Sequence, residues 1–324
     1  MKKFIIAAVI AAVTPLAAGS AIAQGNYPAK PVTLVVGFAP GGGSDITART
    51  LAKKFGDYLG QNVVVENRAG AGGNIGADSV ARANPDGYVI LLGNVGALAV
   101  APHLNSRLPY NPLRDFAPIS LAVVFANVLA VHPSVAAKSL AEYVSAANSR
   151  PGGMPYGSSG IGSAGHLAGE LFKMMAKANL VHVPYKGGGP AMSDLLGGQI
   201  PSLFASASTA VPQVKSGKIR ALATTGPKRS SSFPDVPTIA ESGYPGYEAT
   251  NWYAIVAPAK VPKDILERLN RDVVRTLNTP EIRDQLLSHG EEPSPSTPEE
   301  LARFMEREYN TWGKVVKEAG IQAE

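Results

Sequence analysis

A strand that runs through three glycines straight into a helix is the feature that most limits the fold of this chain. The apolar run 32–37 is typical of a buried strand, and an apolar stripe with helical spacing follows at 48–59. Gly41, Gly42 and Gly43 lie between them. Such a junction points unpaired backbone N–H groups and the positive end of a helix dipole at one spot. The sequence therefore predicts an α/β unit with an anion site at this turn.

Strand and helix signals alternate in the same order in two stretches of the chain. A β-α-β-α-β order predicts a parallel sheet flanked by helices, and two such units predict two similar lobes. Two further apolar stretches, 117–132 and 251–257, are the predicted crossings between the lobes. We expect residues 24–123 with 252–324 to form lobe 1 and residues 124–251 to form lobe 2. The predicted strands of the two units are 32–37, 63–66 and 88–92, then 154–156, 180–184 and 199–205.

The N-terminus has the order of a secretory signal peptide, which predicts export to a periplasm. Lys2 and Lys3 precede an apolar stretch at 4–13, and a small-x-small site ends at Ala23, after which we expect cleavage. Pro15 and the shortness of the apolar stretch argue against a permanent transmembrane helix. The chain has no cysteine, so we expect neither disulfides nor a lipid-bearing cysteine that would anchor the exported protein.

The charge of the chain does not favour a nucleic-acid partner. The formal net charge is +5, and loss of Lys2 and Lys3 with the signal peptide lowers it further. The local basic cluster Lys228-Arg229 is interpreted as a solvated turn. We therefore expect a small-molecule partner and no nucleic acid.

Motifs of cofactor binding and catalysis are incomplete in this sequence. Residues 160–165 match the dinucleotide fingerprint GxGxxG, but the end of the next strand offers no acidic residue for a ribose. Ser44 and Ser159 both lack the second glycine of a GxSxG nucleophile elbow. His166 and Glu170 have the helical spacing of two metal ligands, without a third ligand in the pattern. We expect no cofactor, no metal and no catalytic residue, and an exported enzyme on the same scaffold is the alternative.

Backbone and hydroxyl donors concentrate in two loops that hold no arginine, which predicts a carboxylate site. Each hydrogen bond to a charged acceptor contributes roughly 1.5–3 kcal/mol when the site is shielded from water. Asp45 is interpreted as a cap of the first helix that also fixes the shape of the loop, and a direct bond to a ligand hydroxyl or ammonium is the alternative. His166 either donates to the ligand carboxylate or lies exposed without a role. The predicted ligand-binding residues are Phe38, Gly41, Gly42, Gly43, Ser44, Asp45, Asn94, Ser158, Ser159, Gly160, Gly162, Ser163, His166, Tyr185 and Ser206.

Six ordered segments, spread over the expected mature chain, carry a resemblance to a known family. They read YPAKPVTLVVGFAPGGGSD, VVVENRAGAGGNIGA, PDGYVILLG, YGSSGIGSAGHLAGELF, HVPYKGGGPAMSDLLGGQI and FPDVPTIAESGYPGYE. The chain resembles the Bug family of periplasmic solute receptors, the extracytoplasmic components of tripartite tricarboxylate transporters.

The resemblance implies both an architecture and partners. The implied fold is a two-lobed periplasmic binding protein of type II topology that closes on a small organic carboxylate. The loops Phe38–Asp45 and Gly157–His166 are implied to hold the carboxylate, often with bridging waters. The implied partners are the membrane subunits of such a transporter or a signalling protein, and the receptor itself is expected to be a monomer.

One position departs from that family pattern. In the family an acidic residue commonly follows the phenylalanine after the GGQI segment, whereas this chain has Phe204-Ala205-Ser206. We expect this departure to change the distal pocket, and with it the ligand, while the carboxylate clamp is unaffected.

Overall fold

The computed structural model describes residues 27–318 and 320–321. The predicted signal peptide, with its cleavage after Ala23, lies outside the described residues. The strands are β1 (Val32–Val36), β2 (Val63–Asn67), β3 (Val89–Asn94), β4 (Phe116–Val131), β5 (Met154–Ser158), β6 (Leu180–Pro184), β7 (Ser202–Ser206), β8 (Arg220–Thr224), β9 (Thr250–Pro258) and β10 (Glu292–Pro293). The α-helices are α1 (Gly43–Leu59), α2 (Asn74–Ala81), α3 (Ala101–Leu104), α4 (Leu140–Ser149), α5 (Ala164–Ala176), α6 (Gly188–Leu196), α7 (Ala207–Lys215), α8 (Lys263–Leu277), α9 (Pro280–Ser288) and α10 (Pro298–Glu318).

Each predicted unit forms three parallel strands in the same spatial order. β1 pairs in parallel with β2 and β3, and β5 pairs in parallel with β6 and β7. The first strand of each unit is therefore the middle one, so the two crossovers of a unit run in opposite directions along the sheet. Because such crossovers are right-handed, their helices cover opposite faces. The predicted α/β fold with two similar lobes is confirmed.

β4 and β9 are the long strands that connect the lobes. β4 pairs antiparallel with β9 over residues 116–126 and with β7 and β8 beyond residue 126. β9 also pairs with β3. β4 is thus shared by both halves of one continuous sheet, in the strand order β2-β1-β3-β9-β4-β7-β5-β6. The lobe boundaries at 123/124 and 251/252 stay a prediction.

Two apolar clusters stabilise the fold, one on each face of the sheet. Neighbouring residues of β1 alternate between them: Val35 lies in one cluster, and Leu34 and Val36 lie in the other. In β4, Leu129 and Val128 divide in the same way. Each fully buried aliphatic side chain contributes about 1.5–3 kcal/mol. Because both clusters contain residues of both units, the core is divided by sheet face and not by lobe.

α1 begins in the glycine-rich junction, and its apolar stripe faces the core. Leu51, Phe55 and Leu59 are at most 2% exposed. The helix ends at Leu59, and its C-cap Gly60 has a left-handed φ of 81° that turns the chain away from the helical path. α8 packs on α1, which fixes the direction in which the N-terminus of α1 points. In the part of the chain that the structure describes, no helix combines the length and apolarity needed to cross a bilayer.

Sequence reasoning missed the helices α3, α4 and α7 and the short strand β10. α4 carries a signal that was available: the Ser139 side chain accepts from the Glu142 N–H at 3.2 Å, as an N-cap. Leu140 and Tyr143 begin its buried face at helical spacing. α7 has a weaker signal because Pro212 interrupts it.

Candidate functional site

A small cavity lies between the lobes, at the point where four helices begin. α1 contributes Gly43 and Ser44, α5 its first residues, α6 Gly188, and α7 the preceding residue Ser206. The centres of water-sized molecules can occupy about 20 Å³ of this space, and one water needs roughly 10–15 Å³. The lining residues are Phe38, Gly43, Ser44, Asn94, Asn127, Ser159, Ser163, Ala164, Gly165, Gly188, Phe204, Ser206, Asn251 and Tyr253.

The helices present their N-termini to this cavity largely uncapped. α1, α6 and α7 begin after Gly42, Gly187 and Ser206, and within residues 27–318 and 320–321 no side chain of these three accepts a capping hydrogen bond from the helix. α5 is capped by Ser163, whose hydroxyl accepts from the His166 N–H at 3.4 Å. The first N–H groups of a helix have no partner inside the helix, and they carry the positive end of its dipole. The cavity therefore attracts an anion through neutral groups.

The two lobes touch through glycines on the side of the cavity formed by residues 38–42. The Ala39 N–H donates to the Lys186 carbonyl at 3.0 Å. A Cβ placed on Gly187 would lie 2.8 Å from the Ala39 nitrogen, and one on Gly42 would lie 3.1 Å from the Gly188 nitrogen. Backbones approach this closely only where side chains are absent. The structure is therefore that of a closed cleft.

In the wall supplied by the first lobe, Asp45 holds the glycine loop. Its carboxylate accepts from the Gly41 N–H at 2.9 Å, from Asn67 Nδ2 at 2.9 Å and from Arg49 Nε at 3.0 Å. Burial favours a higher pKa for Asp45, but the bonds from Arg49, Gly41 and Asn67 outweigh it and lower that pKa. Asp45 thus fixes the shape of the loop, as expected. Within the described part of the chain it makes no capping bond to α1, which begins after Gly42 without a side-chain cap, so the predicted cap is wrong.

The wall supplied by the second lobe rests on two stacked histidines. The rings of His166 and His182 lie 4.2 Å apart, and Ser158 Oγ lies 2.7 Å from His182 Nε2. The Gly162 N–H donates to His166 Nδ1 at 3.1 Å, and the Gly160 N–H donates to Ser158 Oγ at 3.0 Å. Burial, with smaller effects of His166 and Lys173, lowers the pKa of His182 to about 3. A buried network, in which His182 is neutral, therefore shapes the loop 157–163.

The structure separates the predicted ligand-binding residues into two groups. Those that line the cavity are Phe38, Gly43, Ser44, Asn94, Ser159, Ser163 and Ser206. Those that lie outside the lining are Gly41, Gly42, Asp45, Ser158, Gly160, Gly162, His166 and Tyr185. The second group mostly shapes the loops: Tyr185, for example, donates to Asp194 at 2.7 Å, and burial and Asp194 raise its pKa to about 12. The exposed placement considered for His166 is wrong, because it is 2% exposed.

Sequence reasoning missed lining residues that come from the crossing strands. Asn127 lies on β4, and Asn251 and Tyr253 lie on β9. An available signal was an asparagine inside an otherwise apolar strand, because a polar side chain there needs a partner. Ala205, which stands where the family commonly has an acidic residue, was expected to change the distal pocket, but its side chain does not line the cavity. Ala205 is buried in an apolar cluster, whereas its neighbours Phe204 and Ser206 line the cavity.

Metal chemistry has no visible support at this site. Among the residues described, no group of three or more His, Cys, Asp or Glu side chains is arranged to hold a metal ion. Glu170, which was considered beside His166, accepts instead from the Tyr156 hydroxyl at 2.6 Å.

Comparison with known proteins identifies the family. The sequence pattern of the tripartite tricarboxylate transporter family receptor matches residues 47–321. The chain belongs to this family. The solved periplasmic binding protein BugD is 36% identical, with a TM-score of 0.89 over 92% of this chain and 100% of BugD.

Two solved relatives contain carboxylates. A protein of R. palustris, solved with adipate, is 38% identical to this chain, with a TM-score of 0.88 over 91% of this chain and 99% of that protein. MatC from Rhodopseudomonas palustris, with bound malate, is 33% identical, with a TM-score of 0.86 over 90% of this chain and 100% of MatC. The resemblance to Bug-type receptors is confirmed, and the chain is a solute-binding receptor with the fold of periplasmic binding proteins.

Proposed function

We propose that this receptor captures a small organic carboxylate in the cavity between its lobes and delivers it to membrane subunits of a tripartite tricarboxylate transporter. It acts in the periplasm as a monomer, after removal of the signal peptide behind Ala23, and without a cofactor, a metal or a nucleic acid. The adipate and malate found in two relatives support a carboxylate as the ligand.

The convergence of four helix N-termini on one cavity carries this proposal. Among the described residues, no Lys, Arg, Asp or Glu side chain lines the cavity. An anion in this space is therefore held by backbone N–H groups and by the hydroxyls of Ser44, Ser159 and Ser163, without a basic side chain. Fixed donors of this kind are effective because they need no reorganisation and are shielded from water.

Capture requires the lobes to open and close. The contacts between Ala39 and Lys186 and between Gly42 and Gly188 close the cleft on this side. A solute cannot pass between backbones that lie this close together. We infer that bending at β4 and β9 opens the cleft, because these strands connect the lobes. Small-angle scattering with and without a saturating ligand tests this. If the ligand-free protein is open and its radius of gyration does not fall when the ligand is added, the inference is wrong.

Titration calorimetry with mono-, di- and tricarboxylates, acidic amino acids and neutral sugars tests the ligand class. We expect at least one carboxylate to bind and the sugars not to bind. Ser159→Ala and Ser163→Ala should each weaken that binding, since each removes a donor to a charged acceptor. Binding of neutral sugars alone would overturn the proposal.

An exported enzyme on the same scaffold is the alternative function. Recovery of the bound carboxylate after long incubation separates the two functions, because a receptor returns it chemically unchanged. Mass spectrometry of the recovered ligand is the measurement, and a modified product would favour the enzyme.

A further inference from the structure

The cavity wall beside the N-terminus of α7 contains a chain of two asparagine amides whose direction is fixed by the backbone. The Trp252 N–H donates to Asn251 Oδ1 at 2.8 Å. Asn251 Nδ2 donates in turn to Asn127 Oδ1 at 3.3 Å. Because a backbone N–H can only donate, Asn251 must present its carbonyl to Trp252 and its NH₂ to Asn127. The side-chain carbonyl of Asn127 therefore faces Asn251, and its NH₂ group points away from Asn251.

That NH₂ group is buried and unsatisfied. Asn127 is 2% exposed and lines the cavity, and within residues 27–318 and 320–321 its Nδ2 has no hydrogen-bond partner. A buried donor without a partner costs free energy, so native structures retain one mainly where a ligand or water completes it.

The position of Asn127 is held rigidly. Its N–H donates to Thr225 Oγ1 and its carbonyl accepts from the Thr225 N–H, both at 2.9 Å. Thr225 Oγ1 donates to the Ala249 carbonyl at 2.8 Å. Asn127 also lies opposite Ser206 in the β4–β7 register. The amide is thus a fixed donor on the strand that connects the lobes.

We propose that Asn127, oriented by Asn251, is the specificity-determining donor for the second end of the ligand, which must carry a hydrogen-bond acceptor such as a carboxylate. This rests on the proposed function, in which the helix N-termini hold the first carboxylate. An ammonium at the second end would meet the Asn127 NH₂, and no acidic side chain among the described lining residues would balance its charge. The site therefore selects dicarboxylates over ω-amino acids and over monocarboxylates of matching length.

The test compares matched ligands on matched variants. Each dicarboxylate from four to six carbons is titrated beside the monocarboxylate and the ω-amino acid of similar length, in titration calorimetry. In the wild-type protein we expect a dicarboxylate to bind most tightly. Asn127→Leu removes the donor at similar volume and should reduce the preference for the dicarboxylate over the monocarboxylate about 10- to 100-fold, as expected for a bond to a charged acceptor.

Two further variants separate the polarity of the donor from its shape. Asn127→Asp keeps an acceptor for Asn251 but replaces the NH₂ donor with a negatively charged oxygen. It should therefore weaken the binding of dicarboxylates more than Asn127→Leu does, and it should strengthen the binding of the ω-amino acid. Asn62→Leu, at an exposed position outside the cavity, should leave the preference unchanged. Thermal unfolding without ligand shows whether each variant is folded.

The outcomes distinguish this inference from the function beneath it. If no carboxylate binds the wild-type protein, both proposals fail. If a dicarboxylate binds and Asn127→Leu keeps the wild-type preference, the specificity role of Asn127 is wrong while the receptor function stands. If the wild-type protein prefers the ω-amino acid, the assigned direction of the amide chain is wrong.

Discussion

The two walls of the cavity present the same element, a helix N-terminus, but support it with opposite chemistry. Two carboxyl groups support the first wall: Asp45 lies in the first turn of α1, and Glu291 packs against Thr47 of the same helix. The two Glu291 oxygens lie 2.9 and 2.8 Å from the Thr47 hydroxyl, and Glu291 is fully buried. Behind the loop before α5 lie two imidazoles, His166 and His182, which are also buried.

This difference shows that similar binding surfaces can respond to pH in opposite ways. Burial raises the pKa of Glu291 to about 7, although the Ser208 and Thr47 hydroxyls act against it. Burial lowers the pKa of His182 to about 3. Both shifts favour the neutral form, because charge is disfavoured in a poorly solvated interior. Folding therefore favours protonation of Glu291 at the first wall and opposes protonation of His182 at the second.

The largest expected effect comes from closing the space between the walls. Gly43→Val should abolish ligand binding while the protein remains folded. A Cβ on Gly43 would overlap Ser206 Oγ and would lie 2.9 Å from Ser208 Oγ. Gly43 is not among the glycines with positive φ, so the reason is contact between the walls and not backbone strain. Calorimetry measures the loss.

Gly60→Asn is the control for Gly43→Val, since it lies at the other end of α1, where a Cβ would meet nothing within 4 Å. Asparagine tolerates the left-handed conformation of Gly60. This variant should bind the ligand normally. Normal binding by a folded Gly43→Val variant would contradict the placement of the site at α1.

The next effect tests the imidazole wall. The pKa of His182 lies below its unfolded value of 6.5, so the unfolded chain binds more protons between about pH 3 and 6.5. The stability supplied by neutral His182 is present above pH 6.5 and is lost as the pH falls toward 3. In the His182→Gln variant the free energy of unfolding should fall less on acidification than in the wild type, by several kcal/mol. Each tenfold change in proton affinity corresponds to about 1.4 kcal/mol. Urea unfolding at a series of pH values checks this, with partly exposed His132→Gln as the control.

A somewhat smaller effect of opposite sign tests the carboxyl wall. The pKa of Glu291 lies above its unfolded value of 4.5, so the folded protein binds more protons between pH 4.5 and 7. The stability supplied by the neutral acid is full below pH 4.5 and is lost as the pH rises toward 7, by roughly 3 kcal/mol. Glu291→Gln should make the protein more stable than wild type at pH 8. The exposed neighbour Glu292→Gln should show no such gain, and equal gains in both variants would contradict the assignment to Glu291.

The smallest effect comes from the ion pair that flanks the first wall. Arg49 Nη2 lies 3.0 Å from Asp45 Oδ1, but the Arg49 side chain is 54% exposed. Solvent screens such a pair, so Arg49→Gln should cost less than about 1 kcal/mol and should remove a small salt dependence of stability. The surface pair Arg229–Glu241 offers Arg229→Gln as the control. Neither variant should change ligand affinity as much as Ser163→Ala, and a steep salt dependence of binding would contradict the neutral clamp.

The predictable part of the site is the part that is local in sequence. Gly43, Ser44 and Ser163 were found because a strand, a glycine turn and a helix follow one another within a few residues. Phe38 follows the end of β1, and Asn94 is the last residue of β3. His182 was not found, because a histidine in an apolar strand gives no sign of which ring it will stack on.

By itself, the sequence determined the alternation of strands and helices, the two repeated units and the family, because periodicity, glycine turns and ordered segments are encoded in short stretches. Tertiary structure alone decided which groups complete the cavity. Asn127 and Asn251 are 124 residues apart and meet only because β4 and β9 pair as the lobes join. Likewise, Thr47 meets Glu291 only when α1 packs against the chain that follows α9. Burial then sets the protonation states of Glu291 and His182, and burial is a property of the folded chain and not of any segment of it.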